Sequence, residues 1–155
     1  MITIGRSMSE NNTTFYTAQE INALRSAAQF YKLHAPVSFW SKPADELKYA
    51  CNGAGPDRWR EINRRALTQA LKPYEAAFAI HDVEYEYKIG SQRASDKNLR
   101  KNMIRIWARN FGLWRWFCIA AWIERFKVIP FVFLAVTLRG GQAWKESSDE
   151  KHHAQ

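Results

Sequence analysis

The sequence predicts an all-α domain, and three observations carry that expectation. Apolar residues recur at three- and four-residue spacing in successive segments, the period of a helix face. Thr17-Ala-Gln-Glu20 has the form of a capping box, which opens a helix by satisfying its orphan backbone donors. Glycine and proline then punctuate the chain at the places where such segments end.

In order, residues 1–16 are polar, carry no sustained period and are expected to form a mobile lead-in. From Thr17, the residues Ile21, Leu24, Ala28 and Tyr31 share one face, so a helix of about 18–33 is predicted. His34-Ala-Pro36 breaks it, and Pro43-Ala-Asp-Glu-Leu47 starts a short helix into Ala50, with a proline and acids in its first turn. Two glycines and a proline in Cys51-Asn-Gly-Ala-Gly-Pro56 forbid a regular helix and predict a tight, shaped loop. Asp57 is placed to cap a helix to Leu71, basic on one side and carrying Trp59, Ile62, Ala66, Leu67 and Ala70 on the other.

The centre of the chain is Pro73 to Met103. One helix from Pro73 to about Ile89 sets Phe78, His81, Asp82 and Tyr85 on one face, and it is expected to be the longest well-packed helix. Gly90 stops it. A second helix restarts near Ser91 with Asp96, Leu99 and Met103 on one face, and so short a connection folds the two back as an antiparallel hairpin. Its continuation to Asn110 places Ile104, Trp107 and Phe111 inward and Arg105 and Arg109 outward. Beyond Gly112, the apolar stretch 113–138 is divided by Arg115, Glu124, Arg125, Lys127 and Pro130, so no run reaches the ~20 residues of a membrane span. Two helical segments that complete the core are expected there, with a position against a membrane surface as the alternative. Gly140-Gly141 closes the apolar part. One domain over 17–145 and a polar tail at 146–155 follow.

The 155 residues suffice to bury roughly two-thirds of the unfolded surface, and 46% hydrophobic with 14% aromatic residues exclude a disordered chain. A net charge of +8 favours an anionic partner, nucleic acid or acidic lipid, without choosing between them. With Cys51 and Cys118 as the two cysteines there is no disulfide framework, which suits a reducing cytoplasm. No apolar run followed by a cleavage site stands at the beginning, so no ordinary secretory leader is predicted. Residence in the producing cell or delivery by a non-classical route both remain open.

His81-Asp-x-x-Tyr85 on a helix, taken alone, describes many buried histidines that do no chemistry. Here the glycine-turned loop precedes it and Asp96 follows it by 15 residues, the order of groups a hydrolytic calcium site requires. With Cys51-Asn-Gly53-Ala-Gly55-Pro56, His81-Asp82-Val-Glu-Tyr85 and Ser95-Asp96-Lys-Asn-Leu99, the stretch from Cys51 to about Met103 resembles the phospholipase A2 superfamily. It looks closest to the small prokaryotic, phage and parvovirus-capsid branches. A weaker likeness to bacterial members lies in Leu134 to Trp144 and carries no chemistry.

The resemblance implies a phospholipase A2-like core of two antiparallel helices, a calcium ion, and a lipid-degrading hydrolase that cleaves the sn-2 ester of glycerophospholipids at a membrane surface. It implies backbone oxygens of Cys51, Gly53 and Gly55 and the Asp82 carboxylate as metal ligands, a hard-oxygen set suited to calcium. It implies His81 as the base that activates water, Asp96 as its supporting carboxylate and Tyr85 bonded to Asp96. Glu84 stands where many members carry a cysteine, so rigidity is expected from Trp and Phe packing instead. The connection from Tyr85 to Asp96 is short for the family, which makes Asn102 the next partner for His81 if the second helix is shifted by about a turn.

Two readings from other classes stand beside this one: an inert lipid- or calcium-binding module, and a basic nucleic-acid-binding protein. The basic residues Arg58, Arg60, Arg64 and Arg65, with Lys97, Arg100, Lys101, Arg105 and Arg109, fit a solvated surface or a peripheral anionic membrane. No recognised motif supports nucleic acid. Trp114 and Trp116 are expected in the core, with a headgroup boundary beside Arg115 as the alternative; Cys118 is expected as a buried small hydrophobe, and His152-His153 has no third ligand at metal-binding spacing.

Overall fold

The computed structural model describes residues 14–54, 60–112, 114 and 117–138. Within them the chain is helical, with no strand. The elements are α1 (Ala18–Phe30), α2 (Val37–Ser41), α3 (Ala44–Ala50), α4 (Glu61–Ala70), a 3-10 turn (Lys72–Tyr74), α5 (Glu75–Glu86) and α6 (Gln92–Phe111). A last helix, α7, begins at Ile119–Ile123, passes through a π-turn at Glu124–Val128 and resumes over 129–138. Gly55, Asp57, Arg58, Trp59, Trp116, the Gly140-Gly141 pair, Trp144, His152-His153 and the tail 146–155 lie outside the described residues, as does 1–13 of the lead-in.

The capping box forms as the sequence predicts. Thr17 N donates to Glu20 Oε2 at 2.8 Å and Glu20 N donates to Thr17 Oγ1 at 3.2 Å, an arrangement worth about 1 kcal/mol. The bond from the Thr17 backbone N–H holds the Glu20 carboxyl below the usual carboxylate range. Ile21, Leu24 and Ala28 then bury one face of α1 against α3 and α5. Between α1 and α3 the chain forms α2, which was not expected. Arg25 holds it, its Nε donating to the Phe39 carbonyl at 2.9 Å and its Nη2 to the Lys42 carbonyl.

Three expectations are corrected in this half of the molecule. Ordered packing starts before Thr17, since Tyr16 is buried and Phe15 packs against the core. In α4 the apolar face points inward only through Leu67, which packs on the core: Ile62 is 69% exposed and Ala66 and Ala70 are exposed, while Thr68 is buried. The reason is a polar fastening, because Thr68 Oγ1 accepts from Ala54 N at 2.9 Å and so turns its own face to the loop. Pro73 begins no long helix. It lies in the 3-10 turn, and α5 runs 12 residues to Glu86, shorter than the 20 residues of α6.

Helix α5 is buried on nearly all sides, from Glu75 to His81 and again at Val83 and Glu84, rather than along one face. The turn after it uses positive φ at Lys88 and Gly90, +51° and +77°, and Ser91 caps α6 through a bond from Ala94 N. Helix α6 returns along α5 with Asp96, Leu99 and Met103 buried and Arg105 and Arg109 exposed, as its spacing predicts, while Ile104, Trp107 and Phe111 are only partly buried and Ile106, which was not expected inside, is fully buried.

The C-terminal stretch departs most from expectation. Pro130 does not divide it, although proline lacks an N–H and its ring crowds the carbonyl four residues back. The π-turn absorbs that conflict by pairing Ile129 N with the Glu124 carbonyl, one residue further back than in an α-helix. Ala121 and Ile129 are buried, Trp107 Nε1 donates to the Ala121 carbonyl at 2.8 Å, and Val132 and Val136 pack on the core. Trp114 and many large side chains of α7 stay exposed, so this stretch does not complete the core. Cys118 is only partly buried, at the start of α7. No helix among the described residues is long and apolar enough to cross a membrane.

Candidate functional site

The polar interior between α5 and α6 is organised on one carboxylate oxygen. Asp96 Oδ1 lies 3.0 Å from His81 Nε2 and accepts from the Tyr85 hydroxyl at 2.7 Å. His81 and Tyr85 are one helical turn apart on α5, so both reach the same point on α6. Asp96 is 2% exposed and His81 8%. Burial, and next the hydrogen bond to Asp96, push the Tyr85 phenol well above its ordinary range, so it stays protonated and donates. Asp96 Oδ2, also buried, has no hydrogen-bond partner among the described residues. The Asp96 carboxylate thus holds one ring nitrogen of His81, Nε2, through Oδ1.

A second, unexpected cluster lies one residue along. Ser95 Oγ donates to Glu84 Oε2 and Asn98 Nδ2 to Glu84 Oε1, both at 2.6 Å. Asn98 Nδ2 also donates to the His34 carbonyl at 3.0 Å, and Asn102 closes on the same residue, accepting from His34 N and donating to its carbonyl, both at 2.9 Å. Thus the expected fallback pairing of Asn102 with His81 does not occur. Asp96 already meets His81, and Asn102 is spent on the His34 backbone. Nor does Trp and Phe packing alone fix the helix pair, since the buried Glu84 bridges it. Burial pushes the Glu84 carboxyl up, against the lowering effect of Ser95 and Asn98. The signal for this cluster was present as Ser95, Asn98 and Asn102 at helical spacing, polar residues on a core face.

Asp82 faces the other way, toward the loop. Asn52 N donates to its Oδ2 at 3.0 Å, which sets the carboxylate beside residues 51–54. Gly53 has φ +82°, and a Cβ there would stand 2.5 Å from the Phe15 ring and 2.8 Å from Thr68 Oγ1, so the turn admits only glycine. Cys51 is buried and its thiol bonds the Ala79 carbonyl at 3.6 Å; burial, and then Asp82, hold that thiol well above its ordinary range. The metal contribution expected of Cys51 is its backbone carbonyl rather than this buried thiol. One carboxylate beside a glycine-turned backbone is a hard-oxygen set, which fits calcium; no group of three His, Cys, Asp or Glu side chains able to hold a metal occurs among the described residues. Gly55, the remaining expected ligand, lies outside them.

Phe15, Thr68, Glu84 and Ser95 were missed by reading the sequence. Phe15 and Thr68 shape the loop from distant segments, and no local pattern announces that. No protein family, no curated protein and no solved structure matches this chain.

Proposed function

We propose that the chain is a calcium-dependent phospholipase A2-like hydrolase of the sn-2 ester of glycerophospholipids. The observation that carries this reading is the buried relay in which Asp96 Oδ1 receives the Tyr85 hydroxyl and meets His81 Nε2. The ordered motifs in the sequence add the loop and Asp82.

In this reading His81 Nδ1 takes a proton from the water that attacks the sn-2 carbonyl carbon. Asp96 holds Nε2, fixing the tautomer that leaves Nδ1 unprotonated at the start and stabilising the imidazolium that forms. When the ester C–O bond breaks, the same imidazolium returns the proton to the departing glycerol oxygen, so free fatty acid and lysophospholipid leave and the histidine is restored. Tyr85 keeps Asp96 aimed at His81. Asp82 and the carbonyls of Cys51 and Gly53 would hold calcium, which when bound stabilises negative charge on the carbonyl oxygen.

A second reading, an inert calcium- or lipid-binding module, draws support from a different observation. The His81 residue is only 8% exposed, so the ring is nearly closed off from solvent.

Fatty-acid release from mixed phosphatidylglycerol and phosphatidylcholine vesicles, with calcium or with chelator, decides between them. The expected result is calcium-dependent release that falls at least ~100-fold in His81→Gln, the scale of losing a general base. Asp82→Asn is expected to keep the fold and lose calcium binding by calorimetry, because it removes a charged ligand at constant volume. A folded, calcium-loaded chain that releases no fatty acid, or a fully active His81→Gln, makes the binding module the better account.

A further inference from the structure

Helix α7 carries its large apolar side chains on the outside. Ile119, Trp122, Ile123, Phe126, Phe131, Leu134 and Leu138 are all exposed, Phe131 at 71%, and Phe117 just before them at 85%. The steps from Phe126 to Phe131, Leu134 and Leu138 are five, three and four residues, and the step of five falls across the π-turn. The turn adds one residue to the helix there, so it keeps the outward side chains in one line past Pro130. The opposite face is used by the core through Ala121, Ile129, Val132 and Val136. The exposed stripe is therefore a surface of about 30 Å that α7 could not bury by rotating.

The charges around the stripe decide what covers it. The acid of α7, Glu124, is turned inward and accepts a hydrogen bond from the buried Tyr74 hydroxyl, whose phenol burial and Glu124 push up so that it remains the donor. Cations border the stripe: Arg125 lies over the Phe126 ring at 5.7 Å and also near Trp107, Lys127 is exposed, and Arg100 of α6 lies over the neighbouring, partly buried Phe133 at 5.5 Å. A second copy seated on this face would set those cations against their own kind, in a chain of net charge +8.

We infer that α7 is an interfacial helix that docks the protein on an anionic phospholipid bilayer, its aromatic stripe entering the headgroup boundary and its flanking cations pairing with lipid phosphates. Phe and Trp on one side with Arg and Lys beside them is the composition of a helix that lies in the interface plane. The choice of a phospholipid surface rests in part on the hydrolytic reading above, while the stripe and its charges are independent of it.

The test is sedimentation of the full-length His81→Gln chain with sucrose-loaded vesicles, which reads docking without turnover. Binding to phosphatidylglycerol vesicles is expected, at least ~10-fold tighter than to phosphatidylcholine and weakened by salt, because each basic residue near the surface contributes about a fivefold factor. The triple variant Phe126→Ala, Phe131→Ala, Leu134→Ala should lose at least ~100-fold in affinity with its melting temperature unchanged, since exposed side chains carry little folding energy. Vesicle binding that the triple variant retains overturns the assignment. So does equal binding to both lipids, or a dimer by light scattering that the triple variant abolishes. If docking behaves as expected but the wild-type chain releases no fatty acid, the hydrolytic reading falls and the docking surface stands.

Discussion

Between α5 and α6 the protein buries a histidine, two carboxylates, a serine and two asparagines, whereas α7 turns phenylalanine, tryptophan, isoleucine and leucine to solvent. Mean hydropathy would have assigned these two regions the other way round. What sets burial is whether the groups have partners. A buried polar group left unpaired costs about 1–3 kcal/mol, and between α5 and α6 nearly every such group is paired. In α7 a narrow row of small and β-branched residues meets the core, while Phe126, Phe131, Leu134 and Leu138 stay exposed. Each inversion of the ordinary rule therefore coincides with a proposed task, proton transfer inside and lipid contact outside.

The sharpest test of that contrast sets one apolar truncation in each region side by side. Met103→Ala, in the fully buried α6 face, should lose about 2–5 kcal/mol in a urea titration, and Phe131→Ala should stay within about 0.5 kcal/mol. Comparable losses would mean that α7 is buried in the working protein and that the comparison is false.

A smaller effect is expected from Ser95→Ala, which removes one of the two donors on Glu84. About 1–3 kcal/mol should go, less where protonation of Glu84 relieves the orphaned oxygen, so the loss grows with pH. A loss that is constant from pH 4 to pH 8 would show that the carboxylate does not depend on Ser95.

The smallest effect belongs to Glu84→Gln and is one of slope. The folded-state pKa of Glu84 is raised above its unfolded value, so the native protein binds the extra proton. Its contribution is most favourable below the unfolded pKa, and stability declines as pH climbs from that value through the raised one. The substituted side chain keeps an acceptor oxygen for Asn98 and turns its amide nitrogen to the Ser95 hydroxyl, so the variant should match wild type in acid and gain on it toward neutral pH. Identical pH profiles of the urea midpoint would show that Glu84 is ionised at no cost inside the protein.

Helix character throughout, the capping box at Thr17, the glycine turn at Gly90 and the burial of Asp96, Leu99 and Met103 were all legible in the sequence. Each depends on neighbours within one or two turns, where backbone geometry and spacing govern. The same holds for the meeting of His81 and Tyr85 with Asp96, because two helices joined by a short turn leave their facing residues little choice. The partner of Asn102, the bridge built on Glu84, the rotation of α4 toward Ala54 and the outward face of α7 were decided only by tertiary structure. They turn on which segment arrives from far along the chain: His34 sits 68 residues from Asn102, and Tyr74 lies 50 from the Glu124 that it holds inward. A periodic pattern tells a helix that it has an apolar side, and the rest of the fold determines how much of that side is covered.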